Sequence, residues 1–496
     1  KAEYAQDETD KYKAYAKTII LNWANRILFA HIIKHKQNGA MIVDEIDYDK
    51  TPNEANAIFK KITEKCDFYN VFSAVRYNEA LPELSWQDFV EFSNFLSSNG
   101  RDHLNQETLQ NILEGSVATS KRAINGQYTT PTELAKLLVR LTVKNWSDTI
   151  LDCCCGTGTI PKEAIQIKKT QMTAKEAVET VWACDKNNYP LQVANISMTE
   201  PDTINIANRL FQHNALTLSI GEKITITNPE TGGNMILALP AFGAVVSNLP
   251  FVPFEIIPAD DKDEISKMPF VDILDGRSDL YCYIATKIAD VIKPEGTLGI
   301  IVSNSWLGTN AGIKLMEALK QEYNIKQVHI SGQGRWFKNA DVVTTILVLE
   351  KKKNSNCVDT DFWLWQLSLE QLAENPDAEN TLVNSALLSS ELDRSVSKLS
   401  KYSQSQIESI LNLNVCYNAL FHDVNWLIDI KDRIIPINKV YNVFRGSRRG
   451  WDALFYPQRG EHRIEPQYLK KVLINARNVT KLVATADRDA FCCGVS

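Results

Sequence analysis

The sequence has 496 residues, a formal net charge of −6 and 44% hydrophobic residues. That apolar content supplies sizeable cores and excludes a disordered chain, and the length allows three or four domains. No apolar run approaches the ~20 residues of a membrane-spanning helix, and the first residues carry no secretory signal pattern. We therefore expect a cytoplasmic protein without a membrane partner. Because the sequence begins at Lys1 and lacks an initiator Met, we also expect it to be a piece of a longer protein.

The spacing of the cysteines and histidines predicts no metal site. None of the ten cysteines forms a CxxC pair, and three are consecutive at Cys153, Cys154 and Cys155. This pattern favours buried, reduced thiols over disulfides or zinc ligands. His31 and His35 lie one helical turn apart, but no third ligand is near them, so we interpret them as part of a polar helix edge.

Residues 1–120 are predicted to form a helical N-terminal domain. Apolar residues recur at every third or fourth position in residues 15–33, and similar patterns follow in residues 55–68, 86–96 and 109–118. This periodicity is typical of amphipathic helices.

Strands and helices alternate in residues 121–353. The predicted strands end at Asp152 and cover residues 180–184, 244–247, 298–302, 327–330 and 342–349. The predicted helices cover residues 132–142, 160–168, 174–179, 189–198 and 279–292. A polar insertion at residues 221–233 and a charged loop at residues 258–275 interrupt the alternation. The pattern predicts an α/β fold with a doubly wound, mostly parallel, Rossmann-like sheet that binds ligands at its carboxyl edge.

The C-terminal part of the chain divides into two segments. Residues 354–430 are rich in Ser, Asn and Leu, and they are predicted to form a connector of loops and short helices. Residues 431–496 contain 13 Lys or Arg and 6 Asp or Glu. A basic segment on an acidic chain suits either a DNA-facing surface or an ordinary solvated face.

The sequence TILDCCCGTGTI, residues 149–160, carries a ligand-binding pattern. Gly156 and Gly158 follow an apolar strand and precede a helix. Glycine permits the positive φ of a tight turn and lets a ligand approach the backbone, whose N–H groups face it at the helix start. Asp185 ends the next apolar strand, where a carboxylate can accept hydrogen bonds from both hydroxyls of a ribose. A helix cap is the alternative role for Asp185.

Four motifs, in this order, resemble those of the amino-group DNA methyltransferases. They are GQYTTP at residues 126–131, the glycine turn, Asp185 after its strand, and SNLPF at residues 247–251. The resemblance is to adenine-N6 enzymes with γ-type motif order from restriction-modification or phage-defence systems, and it covers about residues 126–353. It implies S-adenosylmethionine as the cofactor. The implied cofactor-binding residues are Tyr128, Thr129, Thr130, Pro131, Asp152, Cys153, Gly156, Thr157, Gly158, Asp185, Lys186, Asn214 and Ala215.

The resemblance also suggests individual contacts with the cofactor. Asn214 stands where the family usually places an Asp that bonds the adenine amino group, and its amide oxygen could accept the same bond. A simple turn residue is the alternative for Asn214. Thr129 or Thr130 could contact the cofactor carboxylate, or cap the helix that starts beside them.

The catalytic residues implied by the resemblance are Asn248, Leu249, Pro250 and Phe251. An exocyclic amine conjugated to a base ring is a poor nucleophile, so it needs acceptors that hold its hydrogens. Asn248 Oδ1 and the Leu249 carbonyl can be those acceptors, and Phe251 can stack on an extruded base. The family sequence is Asn, Pro, Pro, then Tyr or Phe. Leu249 departs from it but retains the carbonyl and precedes Pro250, which favours an extended backbone.

Two further segments resemble parts of the family's site. Tyr281 lies at the start of a helix expected to line the cofactor pocket. Phe337, with residues 342–345, resembles a late strand whose aromatic side chain packs near the target base. Both segments could equally belong to the core.

The resemblance predicts a site-specific methyltransferase that acts on adenine N6 of a flipped-out base in double-stranded DNA. A specificity or nuclease module, separate or fused, would be a further partner, and residues 431–496 would begin a target-recognition domain. Two alternatives stay open: methylation of RNA or of a protein glutamine, and a non-catalytic DNA-binding subunit with the same fold. Leu249 and Asn214, which depart from the family pattern, are the features that favour the last alternative.

Overall fold

The computed structural model describes residues 10–36, 38–66, 81, 83–99, 129–200, 202–203, 205–229, 233–274, 276–337, 342–353, 358–442, 463–472 and 488–491. The chain divides into two compact units, Lys1–Lys431 and Asp432–Ser496. The elements that bear on the candidate site all belong to the first unit. Within the described ranges, no helix combines the length and the apolar character that crossing a bilayer requires.

The N-terminal part of the first unit is helical, as its periodicity predicts. Trp23 lies at the centre of its core, and the ring centroid of Trp86 lies 5.4 Å from that of Trp23 in an edge-on contact. The helix predicted over residues 109–118 lies outside the described residues. The helices are α1 (Lys11–Lys36), α2 (Pro52–Cys66) and α3 (Glu83–Asn99), with a 3₁₀ helix at Asn38–Glu45.

His31 lies inside this helical core, not on a polar edge as its spacing suggests. It is fully buried, and its Nε2 lies 2.9 Å from Ser93 Oγ on α3. The hydrogen bond offsets the cost of burying a polar ring. The periodicity of α1 could not reveal this, because the partner lies 62 residues further along the chain. The side chain of His35 is outside the described part.

A nine-stranded sheet in the order β11-β10-β8-β9-β7-β6-β1-β2-β3 forms the centre of the first unit. Strands β3, β2, β1, β6 and β7 are parallel neighbours, whereas β9 is antiparallel to both β7 and β8. The strands are β1 (Ile150–Asp152), β2 (Val181–Asp185), β3 (Arg209–Gln212), β6 (Phe242–Asn248), β7 (Ile292–Ser303), β8 (Tyr323–Ser331), β9 (Thr344–Lys351), β10 (Thr360–Trp365) and β11 (Ser397–Tyr402).

The order of these strands defines where a ligand would bind. The chain builds outward from β1 through β2 to β3, then returns to place β6 on the other side of β1. In open α/β sheets, ligands bind at such a switch point, beyond the carboxyl ends of the strands. The carboxyl ends of β1 and β6 carry the glycine turn and Asn248, so the switch point brings together the two motifs that the sequence singles out.

Both faces of the central strands are covered. Every residue of β1 is buried, and in β6 only Asn248 is partly exposed. Because successive side chains point to opposite faces, this burial requires packing on both. The predicted α/β class with a mostly parallel centre is confirmed. The helices of this part are α4 (Thr132–Thr142), α5 (Thr159–Lys169), α6 (Ala174–Glu179), α7 (Asn188–Met198), α8 (Ala259–Ser266), α9 (Leu280–Lys287), α10 (Asn310–Glu322), α11 (Leu369–Glu374), α12 (Pro376–Leu388), α13 (Gln404–Leu411) and α14 (Trp426–Asp429).

Five elements depart from the predicted insertion, loop and connector. Strands β4 (Lys223–Thr227) and β5 (Asn234–Ala238) pair as an antiparallel hairpin, of which β4 lies in the predicted polar insertion at residues 221–233 and β5 follows it. Helix α8 occupies part of the predicted charged loop, and β10 and β11 extend the sheet from the predicted connector. Strand β4 alternates exposed and buried residues over only five positions, and α8 buries a single apolar side chain, Ile265, so each gives only a short or weak periodic signal. Strand β10 is fixed by pairing with β8 and β11, which are distant in sequence.

The second unit contains short elements. Helix α15 spans Ile437–Val440, and β12 (Leu469–Val472) pairs antiparallel with β13 (Arg488–Phe491). The assignment of residues 431–496 to a recognition domain stays a prediction.

Helix α4 is held against both the sheet and α12. A Cβ atom on Gly299 of β7 would lie 1.7 Å from Thr142 Oγ1, so glycine is required where the end of α4 meets the sheet. The buried Glu379 of α12 accepts a hydrogen bond from Lys136 Nζ at 2.9 Å. These contacts fix the position of α4, and with it the segment that leads into the helix at Pro131.

Candidate functional site

The turn between β1 and α5 has the positive φ angles that its glycines predict, +51° at Gly156 and +87° at Gly158. A Cβ atom on Gly158 would lie 2.9 Å from the Cα of Ala194 in α7, so this glycine lets two helices touch. A Cβ atom on Gly156 would meet no atom within 4 Å. The backbone of Gly156 is therefore open to a ligand, while Gly158 is required for packing.

Asp152, at the end of β1, has one oxygen satisfied and one not. The side chain is buried, and Oδ1 accepts hydrogen bonds from Ser247 Oγ at 2.7 Å and from the Cys154 N–H at 3.2 Å. Oδ2 is buried and has no partner among the described residues. Burial, with a smaller contribution from the charge of Asp185, raises the pKa of Asp152 to about 7. A cationic hydrogen-bond donor would stabilise this carboxylate.

Asp185 lies at the end of β2 beside the glycine turn. Its Oδ2 accepts a hydrogen bond from the Gly156 N–H at 3.1 Å, and its Oδ1 accepts one from the Asn187 N–H at 2.8 Å. Burial raises the pKa of Asp185, although both bonds favour the ionised form. The carboxylate still has acceptor capacity, so it can accept a further donor next to the open backbone of Gly156.

Lys186 and Asn214 both contact α8, which covers the carboxyl ends of β2 and β3. Lys186 Nζ donates to Asp260 Oδ2 and to Asp261 Oδ1, both at 2.8 Å. Asn214 Nδ2 donates to the same Asp261 oxygen at 2.8 Å, and Asn214 Oδ1 accepts from the Leu216 N–H at 3.1 Å. Asp261 is buried, so it joins two sheet-edge residues to α8.

We expect Asp261→Asn to lower the stability of the first unit, by about 2 kcal/mol, because a buried acceptor of two donors loses its charge. Asp260 has the same lysine partner, but its side chain is 68% exposed. Asp260→Asn should therefore change the stability by less than about 0.5 kcal/mol. Thermal unfolding of the two variants measures the difference. Equal unfolding temperatures would contradict the proposed anchoring role of Asp261.

Asn248 lies at the carboxyl end of β6, the strand next to β1. Its Nδ2 donates a hydrogen bond to Thr130 Oγ1 at 3.1 Å. The Leu249 N–H donates to the Ile301 carbonyl at 3.2 Å, and the Leu249 side chain is buried. An apolar side chain at this position therefore anchors the loop in the core. Phe251 is also largely covered, with 8% of its surface exposed.

The remaining predicted cofactor residues differ in exposure. Cys153 and Ala215 are buried, and Thr157 is half-buried beside the glycine turn. Thr129 and Pro131 flank Thr130 and are half-buried. Tyr128 lies outside the described residues. The structure thus brings Thr130, Asp152, Gly156, Asp185 and Asn248 to one edge of the sheet, but the carboxylates of α8 hold Lys186 and Asn214.

Tyr281 and Phe337 belong to the main apolar core. Both are nearly fully buried within it. The start of α9, which carries Tyr281, is tied to the loop after Phe251 because the Leu280 N–H donates to the Val252 carbonyl at 2.9 Å. Their proposed contacts with ligands stay predictions.

Sequence reasoning missed two residues of this edge, Ser247 and Asp261. Ser247 is part of the SNLPF motif, but the motif assigns it no role; it donates to Asp152 Oδ1 on the neighbouring strand. Asp261 carries no sequence signal, because its role depends on how α8 folds over the strands. Among the described residues there is no group of three or more His, Cys, Asp or Glu that could hold a metal ion.

The cysteines around the turn are thiols held in the core. Cys153, Cys155 and Cys184 are buried, and the described cysteines form no disulfide. Burial raises the pKa of the Cys155 and Cys184 thiols well above its usual value, so both stay protonated. The burial of these three thiols agrees with the prediction, whereas Cys154 is partly exposed and Cys416 is exposed.

Comparisons with known proteins identify the family. The family model "N-6 DNA Methylase" matches residues 108–409, more than half of the chain. The chain is 28% identical over 116 residues to "Type II methyltransferase M.BanIII" of Aneurinibacillus aneurinilyticus; the match covers 23% of this chain and 19% of that protein.

A solved structure shares the fold. The chain resembles the type IIG restriction endonuclease BpuSI with a TM-score of 0.56 at 14% identity, over 97% of this chain and 55% of that one. A type I restriction-modification methyltransferase subunit from Streptococcus thermophilus gives a TM-score of 0.48 at 15% identity, over 83% of this chain and 94% of that one. The chain spans about half the length of BpuSI and a smaller share of M.BanIII. With the family match over residues 108–409, the chain belongs to the N-6 DNA methylase family.

Proposed function

We propose that this protein transfers a methyl group from S-adenosylmethionine to adenine N6 of DNA. The observation that carries the proposal is the switch point. Asn248, at the end of β6, lies on the strand next to the glycine turn, and Ser247 Oγ bonds Asp152 Oδ1 at 2.7 Å across the two strands. The acceptor proposed for the target amine is thus adjacent to the residues proposed for the cofactor, as direct transfer between two bound molecules requires.

The residues at this edge fit the cofactor. The buried Oδ2 of Asp152 has no partner among the described residues, and the cofactor ammonium would supply a cationic donor. Asp185, beside Gly156, would accept a hydrogen bond from the ribose of the cofactor. The open space above Gly156 allows the close approach of a ligand to the backbone. When bound, the cofactor would supply an electrophilic methyl group on a sulfonium.

The residue proposed to bind the adenine end of the cofactor already has hydrogen-bond partners within the protein. Asn214, the residue proposed to bond the amino group, directs its amide nitrogen to Asp261 and its oxygen to the Leu216 N–H. The oxygen has a second lone pair and could still accept a bond from the amino group. Lys186 would contribute through its ion pairs with Asp260 and Asp261, which would hold α8 over this side of the site.

Catalysis would depend on positioning. Asn248 Oδ1 and the Leu249 carbonyl would accept the hydrogens of the target amine, and Pro250 would keep their loop stiff. These acceptors stabilise the positive charge that develops on nitrogen as the methyl group arrives. The amine is unreachable in a duplex, so the base would leave the stack. The small exposed part of Phe251 is where such a base could contact its ring.

Cofactor affinity should depend on pH through Asp152. Its pKa of about 7 means that at pH 6 the free protein holds a proton there, which ammonium binding must release. Affinity should fall about tenfold per pH unit below 7, and it should also fall above ~8, where the cofactor amine itself loses its proton. Calorimetry in buffers of different ionisation enthalpy should show proton release at pH 6. Asp152→Asn, a near-isosteric control, should bind weakly and lose the dependence below pH 7. Proton release unchanged in Asp152→Asn would count against this role.

DNA would be the macromolecular substrate, and the basic segment 431–496 would contribute to its binding. The matched proteins include a type II methyltransferase and a type IIG restriction endonuclease, so we propose that this chain modifies DNA within a restriction-modification system, with a specificity or nuclease module as partner. A cytoplasmic location would follow from that role.

Nucleoside mass spectrometry tests the proposal. Unmethylated DNA is incubated with the full-length protein and S-adenosylmethionine, digested, and analysed for methylated bases. We expect N6-methyladenine, and far less of it with Asn248→Ala in the same incubation time. Cofactor binding without any modified base would overturn the adenine assignment. Failure to bind the cofactor, measured by titration, would favour a non-catalytic DNA-binding subunit.

A further inference from the structure

Thr130 contacts Asn248 from a part of the chain that is separate from the catalytic loop. It precedes α4, is 8% exposed, and accepts the Asn248 Nδ2 hydrogen bond at 3.1 Å. The two residues are 118 positions apart in the sequence. Resting on the proposed function, we propose that Thr130 is a positioning residue that sets the orientation of the Asn248 amide for methyl transfer.

The orientation matters because a carboxamide has two unlike ends of nearly equal size. A rotation of 180° about χ2 exchanges its oxygen acceptor for its nitrogen donor. A target amine must be met by the oxygen, because a second donor facing it would repel its hydrogens. With Nδ2 bonded to Thr130, Oδ1 occupies the other end of the amide. The observed bond therefore selects the rotamer that the proposed reaction needs.

The hydroxyl of Thr130 is suited to selecting one orientation. A hydroxyl carries one hydrogen and two lone pairs, so it can accept from Nδ2 while it donates to a second group. The proposed cofactor carries a carboxylate, a stronger acceptor than an amide oxygen. A Thr130 hydrogen directed to that carboxylate leaves only lone pairs for Asn248, and the amide must then present Nδ2.

The position of the hydroxyl is set by the fold and not by the catalytic loop. The Ala135 N–H bonds the Pro131 carbonyl at 2.9 Å, so the chain turns into α4 directly after Thr130. Helix α4 is fixed to β7 at Gly299 and to α12 through Glu379. Because Thr130 is fixed by this helix, the Asn248 amide should keep its orientation when the catalytic loop adjusts to a bound base.

Thr130→Val tests the inference, because it removes the hydroxyl and keeps the shape. We expect a fall of about 30- to 100-fold in the single-turnover rate constant at saturating cofactor, the size of effect that a misplaced reacting group produces. The cofactor dissociation constant, measured by calorimetry, should rise by about tenfold, because the variant also loses the proposed hydrogen bond to the cofactor carboxylate. Saturating cofactor removes this loss from the comparison of rates. Thr130→Ser keeps the hydroxyl and should restore the rate to within about threefold.

Thr132→Val is the matched control, since Thr132 is the exposed first residue of α4 and lies outside the proposed site. It should leave rate and affinity unchanged. If Thr130→Val does not fold, as judged by thermal unfolding, Thr130→Ala carries the same expectation.

Three outcomes would overturn the inference. They are a wild-type rate for Thr130→Val, a defect that Thr130→Ser does not repair, or a loss confined to cofactor affinity, which would make Thr130 a cofactor ligand only. A fully active Asn248→Ala would instead refute the proposed function itself. The failures of the two proposals are therefore distinguishable.

Discussion

Asn248→Ala should lower the rate of methyl transfer by about 100- to 1,000-fold at saturating cofactor. The variant removes the side-chain acceptor that would hold the amine and stabilise its developing positive charge. It leaves β6 intact, because the backbone bonds of the strand do not involve the side chain. The measurement is the single-turnover incorporation of labelled methyl groups into unmethylated DNA.

Cofactor binding should persist in Asn248→Ala, with a dissociation constant within about threefold of wild type, because Asp152, Gly156 and Asp185 are unchanged. Asn234→Ala serves as a control, since Asn234 is exposed at the start of β5. It should be fully active. Normal turnover by Asn248→Ala would exclude the assigned catalytic role.

Gly156→Ala should weaken cofactor binding by about 30-fold, with a smaller effect on folding. The added Cβ would occupy the open space next to Asp185, where we place the ribose, and overpacking of this kind costs about 2 kcal/mol. The positive φ of 51° adds about 1 kcal/mol of strain to the fold. Calorimetric titration measures the affinity, and thermal unfolding measures the strain.

Gly221→Ala is the matched control for this effect. Gly221 has a φ of +82°, and a Cβ there would also meet no atom within 4 Å. Its strain should be similar, but it precedes the β4–β5 hairpin and carries no proposed ligand contact. We therefore expect a comparable loss of stability with unchanged cofactor affinity. Equal affinities for the two variants would show that the space at Gly156 is not where the cofactor lies.

The motifs and several element bounds were accessible from the sequence because local chemistry determines them. Helix α4 spans Thr132–Thr142 and α6 spans Ala174–Glu179, as predicted. The first follows Pro131, which favours a helix start, and the second begins after Thr173, whose side chain forms a capping box with Glu176. The glycine turn could also be predicted from the sequence, since few other residues tolerate its φ angles.

Elements whose stability comes from distant partners could not be predicted from the sequence. Strand β10 carries three buried aromatic side chains and pairs with β8 and β11. No periodicity within residues 354–430 distinguishes it from a buried helix or a loop. Helix α8 has one buried apolar residue, Ile265, so its position depends largely on the buried Asp261 and its contacts with Lys186 and Asn214.

The sequence by itself determined the family motifs, the α/β alternation and the candidate residues, because each depends on residue types at short spacing. Only the tertiary structure decided how those residues act on one another. The Ser247–Asp152 bond joins residues 95 positions apart, Thr130–Asn248 joins residues 118 apart, and Asn214–Asp261 joins residues 47 apart. Such contacts exist only after the strands have taken their order in the sheet, since that order sets which carboxyl ends become neighbours.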